Sequence, residues 1–138
     1  IVSNALGKTT PDLAPLQELV TAGKLGKKSG EGLYRWAAGK PQRAQVEGDA
    51  PADLQDRLML ILANECVACL RETLVDREEW IDAGMIFGSG YAPFRGGPLR
   101  AARERGVDEC VRRLQDLAAR YGSRFTPDPG WERLRLPR

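Results

Sequence analysis

The absence of histidine limits the chemistry that this 138-residue chain can carry out. Without histidine it has no Ser–His or Cys–His nucleophile pair, no catalytic histidine and no histidine-containing zinc site. Three cysteines remain, and Cys66 and Cys69 form a C-x-x-C pair. Metal and redox pairs usually lie in a turn or at a helix N-terminus, with a second ligand pair elsewhere. This pair lies in a strongly helical stretch with only Cys110 left as a partner, so we interpret all three as plain buried thiols. A zinc or redox protein is the alternative, which a metal or thiol assay would distinguish.

The composition is that of a globular protein, with 42% hydrophobic and 29% charged residues and a net charge of +2. A domain that binds nucleic acid through charge alone is usually far more basic, so we expect no nucleic-acid partner. No apolar run approaches 18 residues, so we expect no transmembrane segment, and no signal peptide is recognisable. The odd cysteine number fits a reducing cytoplasm, and the high arginine content is typical of a GC-rich bacterium.

Two glycine-rich stretches could in principle hold a phosphate group. The first, GKLGKKSGEG, lacks the phosphate-loop pattern because Gly26-Lys27 is followed by Lys28 and because the neighbouring elements come in the wrong order. The second, from Gly88 to Gly97, lacks the G-x-G-x-x-G spacing and follows a helix rather than a strand. We therefore predict no catalytic, cofactor-binding or metal-binding residue in this chain.

A structural role is predicted for Glu65, which a helical wheel places near the middle of an apolar stripe. A buried carboxylate needs partners, and the backbone N–H groups of the Gly88–Gly97 loop, with Arg95 as a charged donor, could supply them. The alternative is that the helix rotates and Glu65 reaches solvent. We favour an anchor that pins the loop to the helix, made of Asn64, Glu65, Gly88, Gly90, Pro93, Phe94, Arg95, Gly96 and Gly97.

The elements that must position these residues are helices, and the predicted fold class is all-α with about five helices. The expected helices run from Thr10 to about Gly23, Pro51 to Leu74, Asp76 to Phe87, Pro98 to Gly106, and from Val107 onward with Asp108 as a cap. The apolar stripe on the longest helix comprises Leu54, Leu58, Ile61, Leu62, Cys66, Cys69 and Leu70. A short extended segment is expected at 33–36, an irregular linker at 37–50, and a tail with at most one turn near Trp131.

Three stretches of sequence resemble a known family. GKLGKKSGEGLYRW resembles the signature that closes the C-terminal helical domain of 3-hydroxyacyl-CoA dehydrogenases. The run from Arg57 to Arg100 is similar to the second copy of that domain in the multifunctional fatty-acid oxidation proteins, and YGSRFTPDPGWERL resembles their ending. The resemblance implies three parts: 1–36 as the tail of a first helical domain, 37–50 as a linker, and 51–138 as a second helical domain.

The resemblance also implies an activity for the parent protein: NAD-dependent oxidation of 3-hydroxyacyl-CoA, combined with enoyl-CoA hydration, in fatty acid β-oxidation. The family's catalytic His–Glu pair and its NAD domain have no counterpart here. Where the first copy has an assisting Asn, this chain has Asp56. We therefore expect the isolated chain to be inactive, with NAD bound only by the parent enzyme and acyl-CoA touched at most indirectly.

The expected role is to brace the catalytic half of the parent enzyme, its main partner, and to complete the acyl-CoA cleft. The alternative is a free-standing helical dimerisation or interaction module without catalysis. Self-association is expected in either case, because Leu33, Tyr34 and Trp36 would have lost their natural cover.

Overall fold

The computed structural model describes residues 13–43 and 48–136, and it divides the chain into two compact units, Ile1–Asp49 and Ala50–Arg138. Within the described residues the protein is mostly helical, with six α-helices, three short 3-10 turns and one two-stranded sheet. The prediction of an all-α chain with a short extended segment is confirmed. The proposed helix start at Thr10 lies outside the described residues.

The first unit contains helix α1, Ala14–Thr21, and a hairpin of β1, Arg35–Ala37, and β2, Lys40–Gln42. No residue of α1 is buried. The strands are antiparallel, with Trp36 opposite Pro41. Ala38 and Gly39 both have positive φ, 50° and 74°, as a two-residue turn between twisted strands requires. The expectation of a linker from residue 37 is thus wrong for residues 37–42, because an Ala-Gly pair is a weaker turn signal than Asn-Gly.

The second unit is a helical bundle. Its helices are α2, Leu54–Arg71; α3, Glu78–Ser89; α4, Pro98–Arg105; α5, Val107–Tyr121; and α6, Trp131–Arg135. Helix α2 is shorter than the predicted Pro51–Leu74, since residues 51–53 form a turn and Thr73 has a φ of 56°. Helix α5 is N-capped by Gly106, so Asp108 lies in the first turn and is not the predicted cap. The tail forms a 3-10 turn at Ser123–Phe125 and then α6.

The core of the second unit lies between α2, α4, α5 and the C-terminal segment. Its buried apolar side chains are Leu60, Ala63, Cys66, Val67, Leu70, Ile81, Leu99, Ala102, Cys110, Leu114, Leu117, Phe125, Trp131 and Leu134.

The stripe with which helix α2 faces this core only partly matches the predicted one, since Ile61, Cys66, Cys69 and Leu70 contact the core. Leu60, Ala63 and Val67 are buried, whereas Leu54 and Leu58 of the predicted stripe are 37% and 56% exposed. Cys66 and Leu70 are buried as expected. The helix is apolar around most of its circumference, so the periodicity alone does not determine which side packs inward. The side lined by Ala63 and Val67 is the one that α4 and α5 cover.

Candidate functional site

A buried carboxylate, that of Asp82, binds the start of α4, directly after the Gly88–Gly97 loop. The Asp82 side chain, 5% exposed, accepts the backbone N–H of Leu99 at 2.8 Å and that of Arg100 at 3.1 Å. These donors belong to the first turn of α4, where the N–H groups have no partner within the helix. The negative charge also interacts favourably with the helix N-terminus.

The Gly88–Gly97 loop connects the end of α3 to the start of α4. Gly90 ends α3 with a φ of 74°, Pro93–Arg95 form a 3-10 turn, and Gly96 has a φ of 70°. Gly97 has a φ of 107°, and a Cβ built there would lie 2.3 Å from Cβ of Asp82. A glycine is therefore required where the loop crosses α3.

The predicted burial of Glu65 is wrong, because the Glu65 side chain is exposed. It lies on the side of α2 opposite the core, as follows from the core stripe that the helix actually uses. A buried carboxylate is present instead at Asp82, beside Ile81 on the buried face of α3, but its donors lie at the start of α4 and not in the loop. Our prediction overlooked Asp82, although a buried acidic side chain needs hydrogen-bond donors.

Asn64 is buried, at 7% exposure, but it contacts the C-terminal segment. Its amide nitrogen donates to the carbonyl of Thr126 at 3.0 Å. Its oxygen accepts the backbone N–H of Asp128 and the indole N–H of Trp131, both at 2.8 Å. These hydrogen bonds of Asn64 go to the C-terminal segment and not to the Gly88–Gly97 loop. Asn64 holds the turn that leads into α6.

Charged pairs reinforce both ends of the C-terminal segment. Arg71 binds Asp128 through two hydrogen bonds of 2.8 and 3.0 Å. Burial raises the pKa of Asp128, but the bonds from Arg71 and from the backbone N–H of Gly130 outweigh it, so the pKa is lowered. Arg103 donates to both oxygens of Glu78 at 2.6 and 2.8 Å, and to the carbonyl of Leu134 at 2.6 Å.

Asp56, at the start of α2, is bound by Arg105. The guanidinium donates to both carboxylate oxygens, at 2.6 and 3.1 Å, and Arg113 lies 3.6 Å away. The hydrogen bond from Arg105 lowers the pKa of Asp56 despite partial burial. The pair joins the start of α2 to the end of α4, so the carboxylate has a packing role.

The cysteines occupy core positions. Burial raises the pKa of Cys66 to about 12 and also raises that of Cys110, which favours the unreactive thiol form. Cys69 is half-buried at the edge of the core. Among residues 13–43 and 48–136, no three His, Cys, Asp or Glu side chains are grouped as a metal site would require.

The glycine- and lysine-rich loop of the first unit, GKLGKKSGEG, is held together by hydrogen bonds and an ion pair between its own residues. The Ser29 hydroxyl accepts the backbone N–H of Leu25 and donates to the carbonyl of Glu31, each at 2.8 Å. Lys24 pairs with Glu31 at 3.1 Å, and the Lys27 ammonium lies 6.0 Å from the Trp36 ring centre. Nearby Leu33 and Tyr34 are 73% and 50% exposed, whereas Trp36 is half-buried.

Large apolar side chains are also exposed in the second unit. Trp80, Phe87 and Phe94 are 62%, 89% and 86% exposed. An open cleft of about 610 Å³ beside the start of α2 is lined by Ala50, Pro51, Ala52, Leu54, Gln55, Leu58, Met59 and Arg95. In the described part of the chain, no helix has the length and apolar character to cross a membrane.

Comparison with known proteins gives one consistent group of relatives. No family model matches the chain. It is 33% identical over 82% of its length to the fatty acid oxidation complex subunit alpha of Idiomarina loihiensis. It is 31% and 30% identical over 94% of its length to the subunits of the same name from Vibrio parahaemolyticus serotype O3:K6 and Shewanella sp. strain MR-7. The chain spans only 18% to 20% of the length of these relatives.

Proposed function

We propose that this chain, a homologue of one segment of the alpha subunits of bacterial fatty acid oxidation complexes, is the C-terminal helical part of a β-oxidation enzyme. The homology confirms the resemblance that the sequence motifs predicted. The enzyme as a whole would oxidise 3-hydroxyacyl-CoA with NAD and hydrate enoyl-CoA, and it would act in the bacterial cytoplasm. In this proposal, residues 1–36 are the tail of a first helical domain, residues 37–50 are a linker, and residues 51–138 are a second helical domain.

Within that enzyme the chain would serve as a brace for the catalytic half. The observation that carries this proposal concerns Asp56, which the resemblance aligns with an assisting Asn of the family. Both carboxylate oxygens of Asp56 accept hydrogen bonds from Arg105, so the side chain joins two helices. Asp82 and Asn64 are similarly committed to backbone donors and acceptors. Polar groups held this way fix the relative positions of helices, which is what a rigid brace beside an acyl-CoA cleft requires.

NAD enters the proposal only as the cofactor of the remainder of the enzyme. The two glycine-rich loops of this chain do not suit its phosphates. The N–H groups that follow the Gly88–Gly97 loop are bound by Asp82, whose negative charge would repel a phosphate. The Lys24–Glu31 loop is closed by Ser29. Acyl-CoA would meet this chain at most along the edge of a cleft formed mainly by the catalytic half.

A graft tests the proposal. In the Vibrio parahaemolyticus alpha subunit, the segment aligned with this chain is deleted in one variant and replaced by this chain in another. NADH formation from a 3-hydroxyacyl-CoA is then measured. We expect the deletion to abolish activity and the graft to restore it to within about tenfold of the parent. An active deletion variant, or turnover by the isolated 138-residue chain, would overturn the proposed role.

A further inference from the structure

Helix α3 carries two large aromatic side chains that are mostly exposed to solvent. Trp80 is 62% and Phe87 is 89% exposed. At 100° per residue, four residues of α3 fall within about 100° of one another around the helix, and we call them the aromatic face: Trp80, Ala83, Gly84 and Phe87. The centre of the aromatic face lies almost opposite the side of α3 that carries the buried Asp82. The aromatic face therefore points away from the core of the second unit.

A gap separates the two rings of the aromatic face. Seven residues of helix place Trp80 and Phe87 about 10 Å apart along the helix axis. Between them lies Gly84, where an added Cβ would meet nothing within 4 Å. A side chain of a docked partner can enter this gap and contact both rings, as a knob enters a hole between packed helices. Buried Trp side chains are among the residues that contribute most to binding at protein interfaces.

The aromatic face is uncharged, and the acidic residues beside it are paired. Glu78 accepts two hydrogen bonds from Arg103, at 2.6 and 2.8 Å. The carboxylate of Glu79 lies 3.4 Å from the guanidinium of Arg77. None of the four residues of the face is basic, so the face has no charge that would attract nucleic acid or an anionic membrane. The partner that fits it is an apolar protein surface with aliphatic side chains.

We propose that the aromatic face docks on the part of the enzyme that lies outside this chain. The inference rests on the proposed function, because it takes the chain to be a segment of a longer β-oxidation enzyme. The chain spans only 18% to 20% of the length of its relatives, so most of the protein surface within its reach would belong to that remainder. An apolar ridge of the remainder would cover both rings and fill the gap over Gly84.

The size of the aromatic face favours this occupant over a second copy of the chain. A Trp or Phe side chain buries about 150–250 Å², so the two rings together offer about 300–500 Å². A stable complex between separate chains needs about 800 Å² from each partner. A covalently connected segment docks at an effective concentration of about a millimolar or more, so a smaller face is sufficient.

Hydroxyl-radical footprinting of the native side chains tests the proposal in the Vibrio parahaemolyticus graft. Oxidation of Trp80 and Phe87 is measured by mass spectrometry in the isolated 138-residue chain and in the graft. We expect both side chains to be oxidised at least about fivefold more slowly in the graft, because the centre of an interface excludes water. Trp131, 2% exposed, is the internal reference and should react slowly in both proteins. Equal oxidation of Trp80 and Phe87 in the two proteins would overturn the proposal.

The Phe87→Ser variant gives a second readout. Phe87 is already exposed in the isolated chain, so the substitution should leave the thermal midpoint of that chain unchanged. In the graft it should lower the midpoint by at least about 2 °C. The matched control is Phe94→Ser, which alters an equally exposed phenylalanine outside the aromatic face and should leave both midpoints unchanged. An unchanged midpoint of the Phe87→Ser graft would overturn the proposal, as would a dimer of the isolated chain that Phe87→Ser abolishes in sedimentation velocity.

The docking face and the proposed function can fail separately. An inactive graft in which Trp80 and Phe87 are protected would contradict the proposed function and support the docking face. An active graft in which both side chains remain fully reactive would support the proposed function and overturn the docking face.

Discussion

Replacing Asp82 with alanine removes the carboxylate that holds the start of α4. The N–H of Leu99 would lose its partner in a fully buried place, since Leu99 is 0% exposed, while the N–H of Arg100 is only partly covered. A buried donor left without an acceptor costs about 1–3 kcal/mol, and the second, less buried donor adds less. We therefore expect Asp82→Ala to lower the free energy of unfolding by about 2–4 kcal/mol.

The asparagine variant separates charge from shape. Asp82→Asn keeps one acceptor oxygen, so its loss should be roughly half that of the alanine variant. Urea unfolding measured by far-UV circular dichroism, and by intrinsic tryptophan fluorescence, to which buried Trp131 contributes, gives both values. The control is Glu65→Ala, an exposed carboxylate whose removal should change stability by less than about 0.5 kcal/mol. If Asp82→Ala were as mild as the control, or Glu65→Ala as severe as expected for Asp82→Ala, the assignment of the anchor would be wrong.

Three other substitutions or reactions follow from the same contacts. Asn64→Leu should lower the free energy of unfolding by about 2–3 kcal/mol in urea melts, because three backbone and indole partners lose their bonds. Asp56→Asn should cost about 1–2 kcal/mol at pH 7. Binding of Arg105 holds the folded-state pKa of Asp56 below its unfolded value. The stabilisation is therefore present above the unfolded pKa and disappears as the pH falls through the folded pKa. The stabilities of the unmodified chain and the Asp56→Asn variant should thus converge in melts at acid pH. A thiol reagent at mildly alkaline pH should label Cys69 well before Cys66, whose pKa burial raises to about 12; equal rates would show that the core opens freely.

The helical elements could be predicted from the sequence because their boundaries are marked locally. Pro98 and Gly106 bracket α4 as expected, and apolar spacing indicates α2 and α5. The hairpin turn at Ala38-Gly39 escaped prediction, because positive φ at an alanine depends on the strand pairing around it. The fold class was thus accessible from short-range signals.

The face of α2 that packs against the core could not be predicted from local sequence signals. The helix is apolar around most of its circumference, and only the packing of α4 and α5 selects the side that contains Ala63 and Val67. As a result, Glu65 is exposed, and Asp82 is the buried carboxylate that binds the start of α4. Asn64 was assigned to the loop anchor in the sequence prediction, whereas its hydrogen bonds go to the C-terminal segment. Its partners, Thr126 and Trp131, are more than sixty residues away in sequence, so no local pattern identifies them.

The central claim is that this chain contributes packing and no chemistry to a β-oxidation enzyme, and Asp56 provides the most direct measurement. In the Vibrio parahaemolyticus graft, kcat for NADH formation is compared between the unmodified graft and its Asp56→Ala variant, with the thermal midpoint recorded for both. We predict a lowered midpoint, because the bond to Arg105 is lost, and a kcat within about twofold of the graft at a temperature where both are folded. A fall in kcat of more than about tenfold with an unchanged midpoint would contradict the account, since it would place Asp56 in the catalytic machinery.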